Sequence, residues 1–195
     1  MTKPTEWSID QSHSEIFFKV RHLMVSYVKG AFKIFDANIH TTAKDFTTAN
    51  INLWIDVSSI TTGDEKRDEY LKGADFFDVK NHQQITFTAC SIGKMVLKGT
   101  HELWGELTMK GITKIIKLDI TFSGMTNDAS DNEKARFKAS GKINRSHWGL
   151  TWNADIETGG FIVSEEITID CELELTNVSQ KELSMGNRNI LVNGM

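Results

Sequence analysis

Glu165–Leu175, E-E-I-T-I-D-C-E-L-E-L, is the run that most limits what this chain can become. Ile167, Ile169, Cys171, Leu173 and Leu175 occupy one set of alternate positions, and Glu166, Thr168, Asp170, Glu172 and Glu174 the other. Successive side chains of a strand point to opposite faces, so the pattern makes one dry face and one wet face. A helix would scatter the same apolar residues around its circumference. Such a strand must share its dry face with others.

The chain supplies those partners repeatedly. Ile16, Phe18, Val20 and His22 alternate with Lys19 and Arg21, Phe17 being the one apolar residue on the polar side. Ile51, Leu53, Ile55 and Val57 alternate with Asn52, Trp54 and Asp56. The same phase holds for Ile85, Phe87 and Ala89, then Leu107 and Met109, then Ile116, Leu118, Ile120 and Phe122, then Phe137, Ala139, Gly141 and Ile143. Phe32 and Ile34 are in phase while Phe35 is not, a slip that predicts a β-bulge. The one helical stretch is Gly63–Gly73, where Thr62-Gly63-Asp64-Glu65 reads as a capping box and Gly73 as the stop. It is mostly polar, so it belongs on the surface or across a barrel mouth, with Phe76 and Phe77 tucked beneath it. Lys110–Thr113 and Thr126–Glu133 read as turns, the latter polar enough for a hairpin tip.

Eight or more strands, short connections and one short helix near a barrel mouth specify an all-β, up-and-down antiparallel barrel or a related closed fold. A chain of 195 residues fits one such domain, over residues 1–176, with 177–195 left as a polar tail. Trp148 and Trp152, on the turn before the last strand, read as an aromatic closure of one barrel end. Net charge is −4 with no basic block, which argues against a nucleic-acid partner. No apolar run is long enough for a membrane span, and the N-terminus has no secretory h-region. The chain as given is therefore expected in the cytoplasm, or in the periplasm if a leader has been removed.

Cys90 and Cys171 fall on opposite faces of their strands and are expected to be free thiols. The histidines, at 13, 22, 40, 82, 101 and 147, have no metal-ligand spacing, and no metal is expected. There is no G-x-S-x-G and no cysteine beside an evident base, so no catalytic residue is assigned. Asn144 and Arg145 read as tying their turn to backbone carbonyls.

Four segments carry a resemblance. W-S-I-D-x-x-H-S-x-I-x-F-x-V-R-H at Trp7–His22, G-A-F at Gly30–Phe32, G-D-E-K-R-D-E-Y-L-K-G-A-D-F-F-D at Gly63–Asp78, and I-N-R-S-H-W-G-L-T-W-N at Ile143–Asn153 resemble the YceI family. The resemblance runs in order from about Trp7 to Leu175. It implies a lipocalin-like eight-stranded antiparallel barrel around a long apolar chain: a polyisoprenoid, a quinone-type prenyl compound, or a fatty acid or amide. Many members of the family are periplasmic.

The candidate lumen residues are Ile16, Phe18, Val20, His22, Phe32, Ile51, Leu53, Ile55, Phe87, Leu107, Met109, Leu118, Ile120, Phe122, Phe137, Trp148, Trp152, Ile167, Ile169 and Leu173. An eight-stranded barrel is either filled by its own side chains or holds one small ligand, and alternation alone does not separate the two. Small residues on inward phases, Ala89, Ala139 and Gly141, would open space. His22 and Arg67 are the candidates for a ligand head group, and the Gly63–Gly73 helix and the Thr126–Glu133 hairpin the candidate gates. No cofactor is expected beyond a non-covalently held isoprenoid or acyl lipid. The alternatives are an enzyme acting on a prenyl or quinone-type substrate, and a filled structural module that dimerises through outward Phe17, Trp54 and Trp104.

Overall fold

The structure, a computed structural model, describes residues 4–23, 25–42, 45–97, 99–151 and 163–178. Its strands are β1 (Pro4–Ile9), β2 (Glu15–His22), β3 (Ser26–Phe32), β4 (Phe35–Thr42), β5 (Asp45–Asp56) and β6 (Ile60–Thr61), then β7 (Gln84–Leu97), β8 (Thr100–Met109), β9 (Ile112–Asn127), β10 (Glu133–Asn144) and β11 (Val163–Asn177). The helix α1 spans Glu65–Lys72.

All described strand pairings are antiparallel, in the order β1-β4-β5-β7-β8-β9-β10-β11-β2-β3-β6, and β1 pairs again with β11. Three walls of the barrel are broken strands. β1 and β2 both run beside β11, β3 and β4 continue one another, and β5 and β6 pair with β4 and β3 respectively. Counted as walls, these three and the five unbroken strands close an eight-stranded barrel. Closure removes the exposed sheet edges that would otherwise invite aggregation.

Two of the three breaks carry a polar clamp on a neighbouring strand or turn. Between β1 and β2 the Asp10 carboxylate accepts from the Ser12 amide, while Ser14 Oγ accepts from the Glu174 amide at 2.9 Å, tying the kink to β11. Between β3 and β4 the expected bulge is instead an interruption: Lys33 and Ile34 amides donate to Ser59 Oγ at 3.1 and 3.0 Å. The chain thereby changes phase, so Phe35 is buried and Ile34 is exposed. A bulge would have kept the ladder running.

The helix start also differs from expectation. Asp64, not Thr62, is the N-cap, its carboxylate accepting from the Arg67 amide at 3.1 Å. The Thr62 hydroxyl donates to Asp68 at 2.6 Å. An Asp directly before the first turn outcompetes a Thr two residues further out, because its oxygen reaches the free amide without distorting the chain. Gly73 ends the helix as expected.

The two barrel ends are different. One carries α1, the β2–β3 turn, the Arg145–Trp148 turn and the Lys110–Gly111 hairpin, whose two left-handed residues give a type I′ turn. The other carries the β4–β5, β7–β8 and β9–β10 turns. The two expected gates therefore stand at opposite ends. Residues 179–195, most of the expected tail, lie outside the described residues, and β11 itself continues through Asn177.

Candidate functional site

The barrel encloses a cavity of about 500 Å³. Its wall is built by the alternation read from the sequence: each long strand turns its dry face inward, and facing strands meet across empty space. Ile16, Phe18, Val20, His22, Phe32, Ile51, Leu53, Ile55, Phe87, Leu107, Met109, Leu118, Ile120, Phe137, Ile167, Ile169 and Leu173 all line it. Arg67 does so from α1.

Two expected lumen residues are elsewhere. Trp148 is fully buried beside the cavity, its indole Nε1 donating to the Leu107 carbonyl at 3.1 Å. It holds the Arg145–Trp148 turn against β8 instead of facing the lumen. Phe122 is 43% exposed and packs on Phe137, ring centroids 5.2 Å apart. Phe122 pairs directly with Phe137 and keeps the inward phase, but it stands at the hairpin end with Phe46 and Phe137 and does not line the cavity. Trp152 lies outside the described residues.

Phe46 closes the hairpin end. Its ring lies 4.9 Å from Trp7, 4.8 Å from Phe137 and 6.2 Å from Phe122. Trp7 is anchored in turn by its indole N–H on Thr41 Oγ1 at 3.0 Å. Phe46 escaped the sequence reading because A-K-D-F-T-T has no alternation before Asn50. Of the small residues, Ala139 lines the cavity as expected and Gly141 does not. Gly141 lines no open space, since a Cβ there would stand 2.6 Å from Leu118.

The polar groups of the cavity gather at the helix end: His22, Thr62, Arg67, Tyr70 and Arg145. Arg67 Nε donates to Thr62 Oγ1 at 2.7 Å and Nη2 to the Thr62 carbonyl at 3.1 Å. These bonds fix the guanidinium plane, and Nη1 is engaged by no partner among the described residues. Arg145 is 2% exposed and donates to the carbonyls of Leu150, Val163 and Ser164. Burial pulls its guanidinium below the usual arginine range. Asn144 accepts from the Ser146 amide and hydroxyl and donates to the Glu165 carboxylate, so it caps the turn without using a backbone carbonyl.

Other titratable groups fall into two kinds. Cys90 is exposed and Cys171 faces the lumen, both free thiols. Desolvation pushes the Cys171 thiol up to about 12. Asp10, His13 and Glu174 have converging ligand atoms on the barrel's outer side. Lys134 Nζ stands 2.6 Å from Asp10 and 3.5 Å from Glu174, so an ammonium already supplies the cation there.

The YceI-like domain model matches residues 7–175, the whole barrel. The chain belongs to the YceI-like family. A UPF0312 protein of Staphylococcus epidermidis is 34% identical over 173 residues, covering 88% of this chain and 98% of that one, and a Staphylococcus aureus UPF0312 protein matches equally well. Among solved structures, Burkholderia cenocepacia BcnA superposes with a TM-score of 0.72 at 25% identity, over 85% of this chain and 98% of that one. The Campylobacter jejuni YCEI protein gives 0.69 at 30% identity, over 80% and 89%. A Saccharophagus degradans domain described as polyisoprenoid binding shares the fold, with a TM-score of 0.66 at 16% identity, over 88% and 98%. No helix among the described residues of this YceI-like protein is long and apolar enough to cross a membrane.

Proposed function

We propose that the barrel binds one long-chain apolar lipid in its lumen and sequesters or carries it. The observation that supports this most is the division of the cavity: apolar walls along its length, with the polar groups confined to the helix end. That is the shape of a site for a molecule with one polar head and a long tail. A volume of about 500 Å³, at roughly 30 Å³ per methylene-sized unit, suits roughly fifteen to twenty chain carbons. A polyisoprenoid, a prenyl quinone or its precursor, or a fatty acid or amide meets that description, and polyisoprenoid binding is what the Saccharophagus degradans domain is described as doing. Burying such a chain yields on the order of 12–16 kcal/mol gross, against which chain ordering and loss of free motion count.

The head group sits at the helix end in this reading. Arg67 Nη1 donates to an acceptor on it, and His22, at the end of β2, lines the same end. A site with few polar contacts discriminates by chain length more than by head chemistry. The test is displacement of a fluorescent fatty-acyl probe by competitors of increasing chain length. Affinity should climb about fourfold per carbon until the lumen is full, then level off. Arg67→Met should weaken head-bearing competitors and leave headless hydrocarbons unchanged. Affinity indifferent to chain length would count against the proposal.

A further inference from the structure

The β2–β3 turn breaks the rule that hairpin tips are polar. Its sequence is R-H-L-M-V-S-Y, and within it Val25 is 86% exposed, Tyr27 63% and Leu23 43%. Leu23 holds φ = 50°, a left-handed conformation that costs an ordinary side chain free energy and that Gly or Asn would adopt more readily. Leu23 and Val25 gain no burial within the domain in return for the left-handed backbone at Leu23. The Val25 amide and the Ser26 hydroxyl both donate to the His22 carbonyl.

The wall behind the tip is basic and aromatic. Lys19 and Lys29 are direct cross-strand partners, a like-charge pairing that is unfavourable in isolation. Lys29 Nζ lies 4.0 Å from the Phe17 ring centroid, and Arg21 stacks on Tyr27 and donates to its hydroxyl at 3.1 Å. The nearby carboxylates Asp170 and Glu166 are held by Lys19 and Lys142. The whole chain carries −4, so this face runs against its overall charge. On the inner side of the same strands, Val20, His22 and Val28 line the lumen.

We propose that the β2–β3 tip docks on an anionic lipid surface, with Leu23 and Val25 entering its outer layer and Arg21 and Lys29 against the head groups. An amphipathic Tyr, flanking cations and an apolar tip are the combination that favours the boundary between water and acyl chains. The tip adjoins the helix end of the lumen, so docking would set that end beside the lipid source. The proposal rests on the lipid-binding reading.

The experiment is flotation of the full chain with phosphatidylcholine vesicles, with and without phosphatidylglycerol. Wild type should float with the anionic vesicles, and Leu23→Ser with Val25→Ser should lower the bound fraction on the order of tenfold. Arg21→Gln and Lys29→Gln should each lower it about fivefold, and added salt should do the same. Acyl-probe binding in vesicle-free, detergent-free buffer should be unchanged in every variant. Leu23→Gly, which relieves the left-handed φ, keeps the test readable if the serine variant does not fold. Equal flotation of all variants overturns the proposal. So does a wild-type dimer that the serine variant dissociates while neither floats, which would make a second copy the occupant. Flotation without any probe binding in solution would leave docking standing and remove the lumen reading.

Discussion

The ring of Phe18 lies across Gly30, its direct cross-strand partner, so closely that a Cβ on residue 30 would stand 2.3 Å from Phe18 Cζ. Phe87 lies against Gly105 in the same way, with 2.2 Å to the corresponding atom. Glycine at these points lets a large ring lie flat on the wall instead of projecting into the lumen. The cavity is thus kept open by the placement of glycines beside aromatics, not by small residues alone.

Gly30→Ala should therefore act on the lumen as well as on stability. The added methyl pushes the Phe18 ring inward, costing about 1–3 kcal/mol by overpacking. Chemical denaturation should register that loss, and acyl-probe titration should register weaker binding, with the optimum shifted to shorter chains. Unaltered binding with reduced stability would mean that the Phe18 ring yields outward.

The outer-wall cluster sets the acid limit of stability. The hydrogen bond from Lys134 is the main reason that Asp10 lies well below the usual carboxylate range. A carboxyl with a depressed folded-state pKa contributes fully above its ordinary value of 3.8 and loses that contribution as pH falls toward the folded value. Asp10 also holds the Lys134 ammonium above its ordinary range against the desolvation that opposes it, the same bond seen from its other end. That contribution is present below the ordinary lysine range and fades only as pH rises through the raised value. Lys134→Met should cost about 2 kcal/mol at neutral pH. Its urea midpoint should then fall less steeply than that of wild type between about pH 4 and pH 2.

The thiols should separate by reactivity. Cys90 is exposed, whereas the Cys171 thiol is pushed up to about 12 and has almost no thiolate at neutral pH. A maleimide should modify the native protein once, at Cys90, and the Cys90→Ser variant not at all until unfolded. Mass spectrometry of the labelled protein reads both. Prompt labelling of Cys171 in the native state would mean that water reaches the middle of the lumen.

Period-two alternation carried most of the inner wall, because a strand with one dry face has no freedom in which side chains it buries. It failed where the ladder is interrupted. Ile34 and Phe35 exchange faces because Ser59 takes the amides of the break, a contact between residues more than twenty positions apart. Phe122 keeps the inward phase but stands past the end of the cavity with Phe46 and Phe137, and Trp148 is drawn aside by a carbonyl on β8. The polar end of the site was half legible. His22 follows from its phase, but Thr62, Tyr70 and Arg145 are brought there by α1 and the Arg145–Trp148 turn, whose packing no local pattern encodes.

The most direct test of the lipid-binding account is native mass spectrometry of gently purified protein, paired with organic extraction of the same sample. The account predicts a stoichiometric adduct that extracts as a prenyl or acyl compound. A clean apo mass that also fails to shift when prenyl quinones or fatty amides are added would contradict it.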